Sequence, residues 1–321
     1  MRGVLMDSHD MSHYRAHSSG FTLIELMISL VLGLLISAAV IQVYIINIRT
    51  STVQQSASEV QDSAIFSLQA IEEHIRLANL GNPISNINDK TNHGGVVLTT
   101  ANLGTANATD VKLLTTSADS SGWTGLSNIT GVESDQLTIQ YRNITPSSLF
   151  DCQGVEVTSG SNEWVVERYF VRKATGGTAT DLVLACDAGR VAEDGTVTDL
   201  GDNGEVIIPA VDQFQVLLGT LADVSTLSYL PASTYLKLTA KPSITTVKLG
   251  VIVRSDTPLI EDPESALPAA NKGKFTLLGK EQQLKTTSVS QIRYRRSYES
   301  TIVLRSARVM SVTGLTSSVK S

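Results

Sequence analysis

At 321 residues, 42% hydrophobic and 5% aromatic, the chain is long enough to bury a sizeable core in one large domain or two small ones. Its 25 basic and 31 acidic residues leave a net charge of −6, which argues against nucleic acid as a partner. With two cysteines and five histidines it has no zinc-type Cys/His cluster, and no glycine-rich phosphate loop follows a predicted strand.

The first element in chain order is an apolar stretch. From Leu26 to Ile48 there is no charged residue, and at the helical rise those residues cover roughly the ~30 Å of a bilayer core. Glu25 stands at its start, where an unpaired carboxylate costs at least ~3 kcal/mol on insertion scales. No Lys, Arg or His in the stretch offers a partner. Either the carboxyl is protonated or a partner comes from outside the stretch; a cut between Gly20 and Phe21 would create one, the α-amine of Phe21, one helical turn from Glu25. The run Gly20, Phe21, Thr22, Leu23, Ile24, Glu25, then Leu26, Met27 and Ile28, resembles the class III signal of type IV prepilins and related pseudopilins.

That resemblance implies a reaction performed on this protein. A prepilin peptidase in the inner membrane would cut after Gly20 and methylate the amine of Phe21, and Glu25 would register incoming subunits in a filament. Residues 1-20 are then a cleaved leader. Loss of Arg2, Arg15, Asp7 and Asp10 with it leaves 23 basic and 29 acidic residues and the same net charge of −6. A plain single-pass anchor, or a secretory signal cut after Ser37, Ala38 and Ala39, are the alternatives; a Glu inside the apolar region argues against the latter. The leader would lie in the cytoplasm, the apolar stretch in the inner membrane and the long segment beyond it in the periplasm.

The helical period continues past the apolar stretch. Val53, Ala57, Val60, Ala64, Leu68, Ile71, Ile75 and Ala78 recur every three or four residues, and Gly81 with Pro83 forms a stop signal. One helix over residues 21-80 is expected, roughly 90 Å long. Its 21-48 part would be the transmembrane or filament-core half and the rest would pack under the head, residues 81-321.

From Ile84 to Ser134 the composition is rich in Asn, Thr, Ser and Gly, with short strands expected at Val96 to Thr99 and Val111 to Leu114. Gln136 to Tyr141 alternates like a half-buried strand. Trp164 to Arg172 and Leu182 to Cys186 form a hairpin about Gly176 and Gly177. Further strands are expected at Phe214 to Leu218, Leu236 to Leu238, Thr246 to Arg254 and Thr301 to Arg305. In Thr246 to Arg254, Val247, Leu249, Val251 and Val253 face the core, and Lys248, Gly250, Ile252 and Arg254 the other side. A helix followed by strands is an α+β order. The expected fold is that of a type IV pilin, a long N-terminal helix packed on a mainly antiparallel sheet. In an oxidising periplasm Cys152 and Cys186 read as a disulfide that closes the loop before the hairpin; free thiols are the alternative.

The head carries a second resemblance. Gln136 to Arg142, Asp151 and Cys152, Glu167 to Val171, Leu184 to Cys186, Val211 to Val216, Val247 to Ser255, and Arg295 and Arg296 with Thr301 to Arg305 are similar in order and spacing to PilW-type minor pilins. This resemblance implies priming of type IV pilus assembly with other minor pilins and the major pilin, at a pilus tip that also carries a large adhesin, in support of twitching motility, adhesion or DNA uptake. A minor pseudopilin of type II secretion and a single-pass membrane-anchored binding protein are the competing readings.

No catalytic residue, cofactor or metal is expected. His74 is assigned to the polar face of the helix and His93 to a loop, neither beside a nucleophile motif. Asp194, Asp199, Asp202, Asn203 and Glu205 fail the EF-hand spacing, because Gly201 and Ala210 occupy ligand positions. Lys285, Arg293, Arg295, Arg296, Arg305 and Arg308, interleaved with Tyr294 and Tyr298, are read as an exposed basic face suited to another minor pilin rather than to DNA.

Overall fold

The computed structural model describes residues 20–104, 113–120, 123–221, 226–259, 273–289 and 292–307. The leader before Gly20, Val111 and Arg308 lie outside them. Leu23–Leu77 forms one helix, α1, of 55 residues. The chain divides into two compact units between Ser51 and Thr52.

In the first unit the helix is apolar on every side. Leu26, Val31, Leu35, Val40 and Ile46 are all exposed, and the helix is long and apolar enough to cross a membrane. In the second unit the stripe read from the sequence is buried. Val60, Ala64, Leu68, Ile71 and Ile75 join Leu137, Tyr169, Phe214 and Leu249 in one core. The helix stops where Asn79 adopts φ 68° and Gly81 φ 78°, left-handed positions that suit Asn and Gly. Asn79 then pins the turn: its N–H donates to Gln140 O at 2.9 Å, and its Oδ1 accepts from Gly95 N at 3.0 Å.

The rest of this unit is built from β1 (Leu137–Tyr141), β2 (Leu149–Phe150), β3 (Glu156–Val157), β4 (Trp164–Lys173), β5 (Leu182–Val191), β6 (Val197–Thr198), β7 (Glu205–Leu221), β8 (Leu227–Leu230), α2 (Ala232–Lys237), β9 (Ile244–Pro258), β10 (Lys274–Leu277), β11 (Lys280–Gln283), α3 (Thr286–Val289) and β12 (Arg293–Val303). The main sheet runs β1-β4-β5-β7-β9-β12, with β6 beside β5 and β8 beside β7. All these strand pairs are antiparallel. The architecture is α+β, a long helix packed on an antiparallel sheet.

Alternation on β9 assigns the two faces. Val247, Leu249, Val251 and Val253 enter the core shared with α1. Ile252 points the other way and is not solvated: it packs with Ile129, Phe275, Leu277 and Leu284 under the β10–β11 ribbon. The sheet is therefore covered on both sides here.

Four strand expectations change. Leu236 to Leu238 falls on α2 and its cap, because Pro231 opens a helical turn and Tyr235 is buried with its hydroxyl on Pro242 O at 2.9 Å; three residues do not separate the two periods. Val96 to Thr99 forms only an isolated bridge, Val96 to Ile139. Leu113 and Leu114, the described end of another expected strand, are not in a strand. β12 begins at Arg293 rather than Thr301, since its first half is charged.

Candidate functional site

The residues ahead of α1 make the first constellation. Gly20, Phe21 and Thr22 precede the helix without regular structure, and Phe21 is 84% exposed. The Glu25 N–H donates to Thr22 Oγ1 at 3.3 Å. In return the Thr22 N–H and hydroxyl both donate to Glu25 Oε2 at 2.9 Å. This is a reciprocal capping box, in which Thr and a Glu three residues on satisfy the free amides of a helix start. The carboxylate thus has a partner next to it. Thr-x-x-Glu before an apolar run is the sequence signal that reveals it.

The second constellation surrounds the disulfide. Cys152 and Cys186 are bonded, with Cα atoms 6.2 Å apart across 34 positions of sequence. Cys152 sits in the turn between β2 and β3. Its neighbour Asp151 accepts from the amides of Gln153 and Val155 at 3.0 and 2.9 Å and meets Arg190 Nη2 at 2.7 Å. Behind the disulfide lies Glu167 of β4, a fully buried carboxylate. Its Oε1 is 2.9 Å from His74 Nδ1 and accepts from Tyr141 OH at 3.0 Å and Cys152 N at 3.1 Å, while Oε2 accepts from Tyr169 OH at 2.8 Å.

Glu167 has four donors, as a buried charge requires. Burial and the Glu167 carboxylate push both tyrosine hydroxyls far above their ordinary range. For His74, burial works downwards, but the hydrogen bond and charge of Glu167, aided by Asp151 and Glu73, outweigh it and hold the imidazole above its usual value.

His74 therefore does not lie on the polar face. It is carried inward beside Ile71 and Ile75, with a side chain only 20% exposed. His93 stacks on Trp164 with centroids 4.5 Å apart and planes 3° from parallel. Gln140 Nε2 lies 2.7 Å from His93 Nδ1, and burial, then the nearby Arg142, lower that imidazole. Cys152, Glu167 and Cys186 bring possible metal-ligand atoms within 4.8 Å of one another, but sulfurs joined in a disulfide carry no thiolate to bind a metal.

The basic residues of β12 do not form one face. Arg295 is 4% exposed, with its Nε 2.6 Å from Asp212 Oδ2, and Arg254 approaches Asp212 Oδ1 at 3.6 Å and Asp181 at 3.3 Å. Arg293 turns back onto the Ser255 and Asp256 carbonyls, and Lys285 donates to Ser127 O at 2.6 Å. Arg296 and Arg305 remain exposed. The acidic segment 194–205 is occupied by its own turns: Asp194 accepts from Thr196 N at 2.9 Å and Asp202 from Gly204 N at 2.6 Å.

The family model for Type IV Pilus-assembly protein W matches residues 168–306, spanning β4 to the end of β12. The model for the prokaryotic N-terminal methylation motif matches residues 15–41, across the capped helix start. The head is thus similar to PilW-type pilins and the helix start to prepilins. No curated protein matches the chain. Among solved structures, the type IV-like pilin TTHA1219 from Thermus thermophilus is similar at 10% identity and a TM-score of 0.38, over 77% of this chain and 96% of that one. The two family matches associate the chain with a prepilin peptidase and with pilus components.

Proposed function

We propose that this chain is a minor pilin that primes type IV pilus assembly from the inner membrane and travels to the pilus tip. The observation that carries the reading is the helix start. Gly20 and Phe21 lie in an exposed segment ahead of α1, within reach of a peptidase, and Glu25 is held by Thr22 one turn inside. Cleavage after Gly20 leaves Phe21 as the methylated N-terminus. Residues 21-48 then lie in lipid until they pass into the filament core, with the head, 81-321, in the periplasm and Cys152–Cys186 as its staple. Glu25 receives the α-amine of a neighbouring subunit in exchange for its local cap.

The partners that follow are the prepilin peptidase, other minor pilins, the major pilin and a tip adhesin. The pilus so formed serves motility, adhesion or DNA uptake. A non-catalytic role is supported by both described histidines being committed to Glu167 and to Trp164 with Gln140.

The test is an intact mass with N-terminal peptide mapping on protein from its own membrane, with and without the peptidase. The expected product begins at methylated Phe21 only when the peptidase is present; an uncut chain, or one beginning at Val40, refutes the reading. Co-purification with pilus rather than type II secretion components decides between a pilin and a pseudopilin.

A further inference from the structure

The two outer edges of the main sheet are finished differently. Beside β1 the outward backbone groups are taken. Gln136 exchanges hydrogen bonds in both directions with Thr116. Thr138 N donates to Thr115 Oγ1 and its O accepts from Val97 N, while Gln140 N donates to Gly95 O and its O accepts from Asn79 N. Loops thus close that edge, the usual protection against stray strand pairing.

β12 forms the other edge, paired only with β9 among the described residues. From Arg295 to Val303 its register against Arg254 to Thr246 runs without a bulge, and β12 holds no proline or lysine, the residues that commonly blunt an edge. The next rung, Leu304 N to Thr245 O at 2.9 Å, sets the phase. The even-numbered residues of β12 bond to β9, and the odd-numbered ones turn their N–H and C=O outward. Among the described residues no hydrogen bond reaches these groups at Ser297, Glu299, Thr301 or Val303. Such a stretch is a template for an added strand.

Charge decides which strand fits. Arg296 and Arg305 stand exposed near the two ends of the open stretch, and neither has a carboxylate partner among the described residues; Arg296 lies 5.6 Å from the centre of the Tyr298 ring. The acidic groups beside the strand are spent, Glu299 on Lys248 at 3.0 Å and Glu72 on Arg76 at 2.7 Å. Val303, 60% exposed, adds apolar surface between the arginines. A second copy of β12 would add arginines to arginines, whereas an acidic strand answers both cations.

We propose that the open edge of β12 binds an extended acidic segment of another protein by strand addition, its backbone on Ser297 to Val303 and its carboxylates on Arg296 and Arg305. The pairing uses groups of the head alone and does not depend on a cut at Gly20.

The test uses the full chain in detergent micelles, titrated by calorimetry with a capped peptide of alternating threonine and valine that carries glutamate at each end. A length of about nine residues spans the stretch from Arg296 to Arg305 at ~3.3 Å per residue. The control peptide carries lysine at both ends. The glutamate peptide is expected to saturate and the lysine peptide to bind at least about tenfold more weakly. In hydrogen exchange the amides of Ser297, Glu299, Thr301 and Val303 should be open in the chain alone and slowed by the glutamate peptide. Thr301→Pro removes an outward N–H that β9 does not use, and should weaken binding at least about tenfold. Arg296→Glu with Arg305→Glu, both at exposed positions, should reverse the preference between the peptides, and decides the matter if the proline variant does not fold. No binding, equal binding of the two peptides, protection of those amides in the chain alone, or a preference unchanged by the charge-reversed variant overturns the proposal.

Discussion

Nδ1 of His74, on α1, lies 2.9 Å from Oε1 of Glu167 on β4, and this contact joins the helix to the sheet at the disulfide. Because His74 is held above its usual value by that carboxylate against the opposing effect of burial, the folded state binds the imidazole proton more tightly than the unfolded chain. Its stabilisation is fully present below about pH 6.5 and is lost as pH rises through the raised value. The oxidised chain in micelles should show a falling melting temperature over that interval, and His74→Gln should flatten this part of the profile. An unchanged slope in the variant refutes the assignment.

Asp135 gives a dependence of the same sign in a lower window. Burial pushes its carboxyl up to about 7 from an ordinary 3.8, against the two amides that donate to it. A carboxyl protonated when folded and ionised when unfolded loses stability as pH rises between those values. Chemical denaturation from pH 4 to 7, compared with the profile of Asp135→Ser, checks this: the variant should lose the fall even though it is less stable overall.

Removing the disulfide by Cys152→Ala with Cys186→Ala should cost about 3 to 4 kcal/mol, because it frees a loop of some thirty residues in the unfolded chain. Urea unfolding measures it. The loop is also held by Asp151 with Arg190 and by the donors to Glu167, so the double variant should still fold.

Arg295→Met is expected to destabilise by about 3 to 5 kcal/mol, since it leaves buried Asp212 with the neutral Asn128 amide at 2.6 Å and, of its two cations, only the more distant Arg254. Arg296→Met, on the exposed side of the same strand, should change stability by under about 0.5 kcal/mol. The pair, measured by thermal melts, separates the buried from the exposed basic residues.

At the helix start the cap and the charge are separable. Glu25→Gln keeps an oxygen for the Thr22 amide and removes the charge, whereas Glu25→Ala removes both. Both variants should insert and be cut, and both should fail to enter pili. If Glu25→Gln enters pili normally, the charge has no assembly role. Gly20→Val should block processing, read as a precursor-sized band.

The long helix was legible because Val60 to Ile75 repeat at helical spacing and Gly81 and Pro83 end them. The hairpin of β4 and β5 was legible because apolar runs flank two glycines. What escaped had physical reasons. β12 hides behind its charges, since Arg295 is buried through Asp212, a residue far away in sequence. His74 looked solvent-facing until Glu167 supplied a buried partner across 93 positions. Gln282 pairs with Gln215, and Asp135 with the Val216 amide, across separate segments, and no local pattern foretells that. The Thr22 and Glu25 cap, by contrast, was written in four consecutive residues.

From Leu23 to Ile46 the apolar side chains of α1 are open on every side of the first unit. Exposing that much hydrocarbon to water is prohibitive, so this half of the subunit has no aqueous state: it is comfortable among lipid tails or among other helices, and nowhere between. Movement from one to the other must be a direct hand-over, and a subunit that lost its place would be returned to the bilayer or aggregate rather than diffuse away.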